Sequence, residues 1–149
     1  AIEKLETYKP LAMRQQIHHV NEITIIDDSY NASPDAIKSS INVLCEFKGG
    51  KRIAVLADML ELGECSRKAH FNVGAYAAAS GVDIVLTVGE RAKEIAKGAK
   101  SVNLNFDCYS FENNKDAILK LKSILTAGDT VLIKGSRGMK TDEIVKAFL

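Results

Sequence analysis

The chain has 149 residues, 46% of them hydrophobic, with 20 Lys and Arg against 19 Asp and Glu. That length supports one domain with a real core, and the balanced charge argues against nucleic acid as the main partner, since such domains carry a basic excess. No apolar run approaches the roughly 20 residues that span a bilayer, the most apolar region (residues 75–88) being interrupted by Tyr76, Ser80, Gly81 and Asp83, so no membrane insertion is expected. In chain order, residues 1–22 read as a hinge segment, with Tyr8-Lys9-Pro10 as a linker and residues 14–20 as an extra edge strand. From Ile23 onward, apolar strands alternate with amphipathic helices. Strands are predicted over 23–27, 52–57, 84–88, 106–109 and 130–134, and helices over 34–46, 67–80, 91–97, 112–125 and 142–148. Ile23, Ile25 and Ile26 give the first strand its β-branched, apolar character. Ser33 caps the next helix and Pro34 fits its first turn, with Ile37, Ile41 and Leu44 recurring on one face. Gly81 and Gly128 follow helices, and Asp142 and Glu143 open the last one, where the helix dipole favours acids. Such alternation predicts an α/β fold, a Rossmann-like, mainly parallel sheet with helices on both faces over residues 23–149.

In a sheet of that kind the carboxyl ends of the strands share one rim, where ligands bind. The rim is expected to collect Asp27 and Asp28, then Asp58, then Gly89-Glu90, then Lys134-Gly135-Ser136-Arg137. Carboxylates suit a ribose or an amine; Lys134 and Arg137 suit a phosphate or a carboxylate. Residues 134–141 follow a strand and end in Lys140-Thr141, but the spacing fails for a P-loop because Met139 precedes Lys140. His70 is expected to orient a ligand or a neighbouring loop, or to be structural. His18-His19 resembles a metal pair only superficially, since neighbours on a strand face opposite ways. Cys45, Cys65 and Cys108 are far apart in sequence, form no C-x-x-C and are odd in number, and no secretory leader is visible; a reducing, cytoplasmic setting is the simplest expectation. The start at Ala1, without methionine, reads as an excised piece.

Four segments occur in register: Pro10-Leu11-Ala12-Met13-Arg14; Asp27 through Pro34 (DDSYNASP); Ala57 through Glu64 (ADMLELGE) with His70 following; and Lys134-Gly135-Ser136-Arg137-Gly138-Met139. Together they resemble the C-terminal domain of the Mur ligase family of peptidoglycan synthesis, in the branch that adds D-alanyl-D-alanine to UDP-N-acetylmuramoyl-tripeptide. The resemblance implies an ATP-dependent acid–amino-acid ligase acting through an acyl phosphate, with UDP-N-acetylmuramoyl-tripeptide and D-Ala-D-Ala as substrates. It further implies N-terminal and central domains outside this chain, the central one carrying the P-loop and the Mg2+ ligands. A monomer in the cytoplasm is expected, inactive as an isolated domain. Carried over by position, Arg14 reaches the ATP phosphates and is the catalytic candidate, Asp28 meets the ribose hydroxyls, and Tyr30 and Asn31 shape the nucleotide side. Asp58 and Glu61 are expected near the dipeptide ammonium, and Lys134, Ser136 and Arg137 near its carboxylate or at the closed interface. Two departures are Ser33, where relatives often have asparagine, and Ala57, where glycine is common and a methyl group narrows the crevice.

A response-regulator receiver domain phosphorylated on Asp58 is the rival. Asp27-Asp28, Asp58, Thr87 and Lys134 mimic its set. Its acceptor aspartate, however, belongs one strand later, and proline rather than Gly135 would follow the lysine. A nucleotide-binding regulatory module would need a G-x-G-x-x-G after a strand, and the sequence has none.

Overall fold

Apolar strands that are buried on both faces need helices above and below them. The computed structural model describes residues 16–28, 33–60, 62–135 and 139–149. It contains strands β1 (Gln16–Val20), β2 (Ile23–Asp28), β3 (Arg52–Ala57), β4 (Ile84–Val88), β5 (Asp107–Phe111) and β6 (Thr130–Lys134). The helices are α1 (Pro34–Leu44), α2 (Ser66–Ser80), α3 (Lys93–Val102), α4 (Asn114–Ile124) and α5 (Asp142–Lys146), with a 3-10 turn at Gly63–Cys65 before α2. As expected, Ser33 caps α1, its hydroxyl accepting from the Ala36 N–H at 3.2 Å, with Pro34 in the first turn.

The six strands form one sheet in the order β1-β2-β6-β3-β4-β5. Only β1 is antiparallel, pairing with β2 along the edge; the other pairings are parallel. The chain steps from β2 to β5 in one direction through α1, α2 and α3, then returns through α4 to slot β6 between β2 and β3. Right-handed crossovers require the return helix to lie on the opposite face. The two cores agree. Ile37 and Ile41 of α1, Val73 and Ala77 of α2 and Ile95 of α3 pack on Ile26, Ala54, Leu56, Val85 and Leu132. On the other face Ala117 and Leu121 of α4 and Ile144 and Val145 of α5 pack on Ile25, Val55, Leu86, Val131 and Ile133.

Helix α3 begins two residues later than predicted and runs on to Val102 through Gly98, beyond the predicted stop at 97. Gly98 is internal because α2 presses against it. A Cβ there would collide with the Phe71 carbonyl, and one on Gly74 of α2 would collide with the Ile95 carbonyl. The two glycines therefore form a reciprocal close approach that no other residue permits.

The amino-terminal rim of the sheet is tied by Asp129, almost wholly buried. Its carboxylate accepts from the Lys51 and Thr126 backbone N–H groups, each at 2.9 Å, and meets the Lys51 ammonium at 2.9 Å. Burial works to raise this carboxyl, but the Lys51 ammonium and the two backbone N–H groups outweigh it and hold the group below the ordinary aspartate value.

Candidate functional site

At the opposite, carboxyl rim, β2 and β6 are neighbours whose helices leave on opposite faces, α1 on one and α5 on the other. This divergence is a topological switch point, where an open α/β sheet leaves a crevice for ligands. The register places Asp28 directly beside Lys134. Both point to the α1 face and both are buried, 5% and 3% exposed. The Lys134 ammonium lies 3.0 Å from Asp28 Oδ2, and the Ser40 hydroxyl of α1 donates to the same oxygen. A carboxylate that is desolvated this far needs such charge and hydrogen-bond compensation.

One strand further along, Asp58 follows β3. Its backbone N–H continues the ladder to Val88 O at 3.1 Å. Its Oδ1 accepts from the Ala92 N–H at 2.6 Å, and Arg91 Nη1 lies 3.6 Å from Oδ2. Gly89 has φ of +110°, and a Cβ on it would strike the Asp58 carboxylate. Asp58 thus grips the turn between β4 and α3. Met59 comes next, its side chain in the core and its N–H bonded to His70 Nε2 at 2.9 Å.

The segment after β6 is held from α4. Asn114 Nδ2 lies 3.1 Å from both the Met139 and Lys140 carbonyls and 2.9 Å from Glu143 Oε1. Lys140 sits at φ +54° within that turn. Gly135 is confined, since a Cβ would lie 2.7 Å from Thr141 and 3.1 Å from the methyl group of Ala57. The methyl group predicted to narrow the crevice therefore sits against the β6 exit. Sequence reasoning missed Asn114: of the pair Asn113-Asn114, one suffices as a cap, and Asn113 fills that role by accepting from the Asp116 N–H at 2.8 Å. It also missed Lys38 and Lys68, which with Pro34, Cys65, Ala69 and Asn72 line a cavity of about 210 Å³ between the starts of α1 and α2.

Of the expected site residues, Asp28, Asp58 and Lys134 all lie on the carboxyl rim, with Asp28 and Lys134 in contact. Arg14, Tyr30, Asn31, Glu61, Ser136 and Arg137 lie outside the described residues. His18 and His19 do not converge. His18 Nε2 is 4.0 Å from Asp27 Oδ2, and His19 Nδ1 is 3.2 Å from Thr24 Oγ1. Among the described residues no group of three His, Cys, Asp or Glu could hold a metal ion, and no helix is long and apolar enough to cross a membrane. Burial pushes the Cys45 and Cys108 thiols up, so neither is poised as a nucleophile.

The family model of the Mur ligase, glutamate ligase domain matches residues 13–137. The chain belongs to the Mur ligase family. It is 36% identical over 151 residues to the UDP-N-acetylmuramoyl-tripeptide–D-alanyl-D-alanine ligase of Bacillus subtilis, covering 100% of this chain and 33% of that protein. To the enzyme of the same name from Escherichia coli it is 36% identical, over 83% of this chain and 26% of that one. The chain thus spans about a third or less of these relatives. Among solved structures, the MurF ligase of Thermotoga maritima in complex with ADP superposes with a TM-score of 0.75 at 28% identity, covering 89% of this chain and 29% of that one. The receiver reading falls with this Mur ligase assignment and with the topology. A receiver has strand order 2-1-3-4-5, which sets its first strand beside its third. Here β6 separates the acidic end of β2 from β3 and Asp58.

Proposed function

We propose that this Mur ligase domain is the C-terminal part of an ATP-dependent ligase that adds D-Ala-D-Ala to UDP-N-acetylmuramoyl-tripeptide in peptidoglycan synthesis. The observation that carries the proposal is the Asp28–Lys134 pair at the switch point, in a chain that is similar along its whole length to ligases of that name. In the proposed reaction, ATP phosphorylates the tripeptide carboxylate, the dipeptide amine attacks the acyl phosphate, and phosphate leaves. Closure of this domain over the nucleotide would exclude water from the hydrolysable intermediate.

The residues present suit the nucleoside end of ATP. Among the described residues both contacts to Asp28 fall on Oδ2, so Oδ1 is the edge a ribose diol would address, with Lys134 and Ser40 orienting the carboxylate for it. Tyr30 and Asn31 would flank the ribose, and Arg14 would reach the phosphates, where a guanidinium stabilises developing charge. On the dipeptide side, Asp58 and Glu61 supply negative charge for the ammonium, and Ser136 and Arg137 hydrogen bonds for the carboxylate. Lys134 serves that side only through the crevice's overall charge. Magnesium would neutralise the phosphates when bound, held by residues of the central domain rather than by this chain. The cytoplasm, as the compartment of ATP and the UDP-linked precursor, and a monomeric state are part of the same reading.

The test is phosphate release by the full-length ligase that carries this domain. Release should require ATP, the UDP-linked tripeptide and D-Ala-D-Ala together. Turnover with L-glutamate or a diamino acid in place of the dipeptide would refute the proposal, as would turnover with no amine acceptor.

A further inference from the structure

His70 is completely buried in the first half of α2. Both of its ring nitrogens nevertheless have defined partners. Nδ1 lies 2.6 Å from the Ser66 carbonyl, which can only accept, so Nδ1 carries the proton. Nε2 then presents a lone pair, and that lone pair receives the Met59 N–H at 2.9 Å. The ring is fixed in one tautomer, a brace between the backbone of α2 and the backbone of the rim. No apolar side chain of similar size could replace it without leaving the buried Met59 N–H unpaired.

The brace acts where the crevice is shaped. Met59 directly follows Asp58, and the two lead the chain out of β3 at the carboxyl rim. Asp58 is fixed from the α3 side through Ala92, and Met59 from the α2 side through His70. We infer that His70 is a positioning residue for the acceptor side of the site: by holding the Met59 backbone it fixes how the chain leaves Asp58 and so the fit of the D-Ala-D-Ala amine. The inference rests on the ligase reading above. His70 has no contact with the Asp28–Lys134 pair, so the nucleotide side should be insensitive to it.

The discriminating pair of variants is His70→Leu and His70→Gln in the full-length ligase. Leucine fills the volume and offers no acceptor; glutamine can place Oε1 near the Nε2 position and accept from Met59. His70→Leu should raise the KM for D-Ala-D-Ala about tenfold or more while leaving the KM for ATP within about twofold, and His70→Gln should recover most of the loss. Equal effects on both substrates, or a glutamine variant no better than leucine, would overturn the positioning role. Should the leucine variant fail to fold, nitrogen NMR of the unaltered 149-residue chain decides. A protonated Nδ1 and a scalar coupling across the hydrogen bond between Met59 N and His70 Nε2 are expected, and an Nε2–H tautomer would remove the brace. A wild-type ligase that ignores D-Ala-D-Ala would instead overturn the ligase reading, whatever the NMR result.

Discussion

Asp28 and Lys134 are register partners on adjacent parallel strands, and they close the end of that ladder with an ion pair of 3.0 Å. Both side chains are nearly inaccessible to water, so each charge depends on the other. Lys134→Met should therefore destabilise the fold by about 3–5 kcal/mol, because it strands a buried carboxylate. The double variant Asp28→Asn/Lys134→Met removes both charges and should lose clearly less than the sum of the single changes. Urea unfolding of the four proteins of this cycle measures the coupling; additive losses would show that the pair is not energetically linked.

Asp28 also bears the proposed ribose contact. In the full-length ligase, Asp28→Asn keeps the volume and the Ser40 donor has an oxygen to address, but the charge is gone. The KM for ATP should rise about tenfold, equivalent to the loss of a hydrogen bond to a charged group, with the KM for D-Ala-D-Ala little changed. Steady-state kinetics with each substrate varied in turn would reveal an unaltered ATP KM if the contact does not exist.

Arg14→Ala should lower turnover of the full-length enzyme about a hundredfold, the scale of removing one preorganised charge from a transition state. The melting temperature should stay within about 2 °C of wild type, since the proposed role is in turnover rather than in folding. A variant that retains full turnover would remove the phosphate role.

Asp129 gives a pH prediction that separates stability from activity. Its carboxyl is held below the ordinary aspartate value of 3.8, so its contribution is present above that pH and is lost as pH falls through the lower, folded-state value. At pH 7, Asp129→Asn should cost about 2 kcal/mol through the weakened bonds to Lys51 and Thr126. The gap between variant and wild type should shrink as the pH is lowered from about 5 toward 2. Thermal unfolding across that range tests it, and a gap independent of pH would mean that the charge of Asp129 contributes nothing.

Gly98→Ala should destabilise the domain by about 3 kcal/mol or more, despite alanine's higher helix propensity, because the new methyl group meets a backbone carbonyl that no rotamer change can move. Gly63 offers the contrast: open space surrounds its Cβ position, and only its φ of +60° resists substitution. Chemical denaturation of Gly98→Ala and Gly63→Ala side by side would rank the two costs; equal losses would argue against the close approach of α2 and α3.

The strands β3, β4 and β6 were legible to the residue because each is a continuous apolar run bounded by polar or glycine positions. The rim of Asp28, Asp58 and Lys134 was legible for a related reason, since parallel strands all present their carboxyl ends to one side. Strand order was not. Alternation of strands and helices says nothing about β6 entering between β2 and β3, and the contact of Asp28 with Lys134 depends on that insertion. The predicted end of α3 lies at 97, one residue before Gly98, and the sequence carries no sign of the backbone that presses on that glycine inside the helix. Asn114 and the two-sided use of His70 were hidden because most of their partners are backbone atoms, which leave no trace in residue identity.

The interlocking of Gly74 and Gly98 has a mechanical corollary. Helices seated so closely cannot slide past each other without lifting a carbonyl out of its notch, so α2 and α3 behave as a single stiff plate. One edge of that plate carries His70 and the other is joined through Ala92 to Asp58. A disturbance introduced at Gly98 would consequently be transmitted to the shelf on which an incoming dipeptide is proposed to rest.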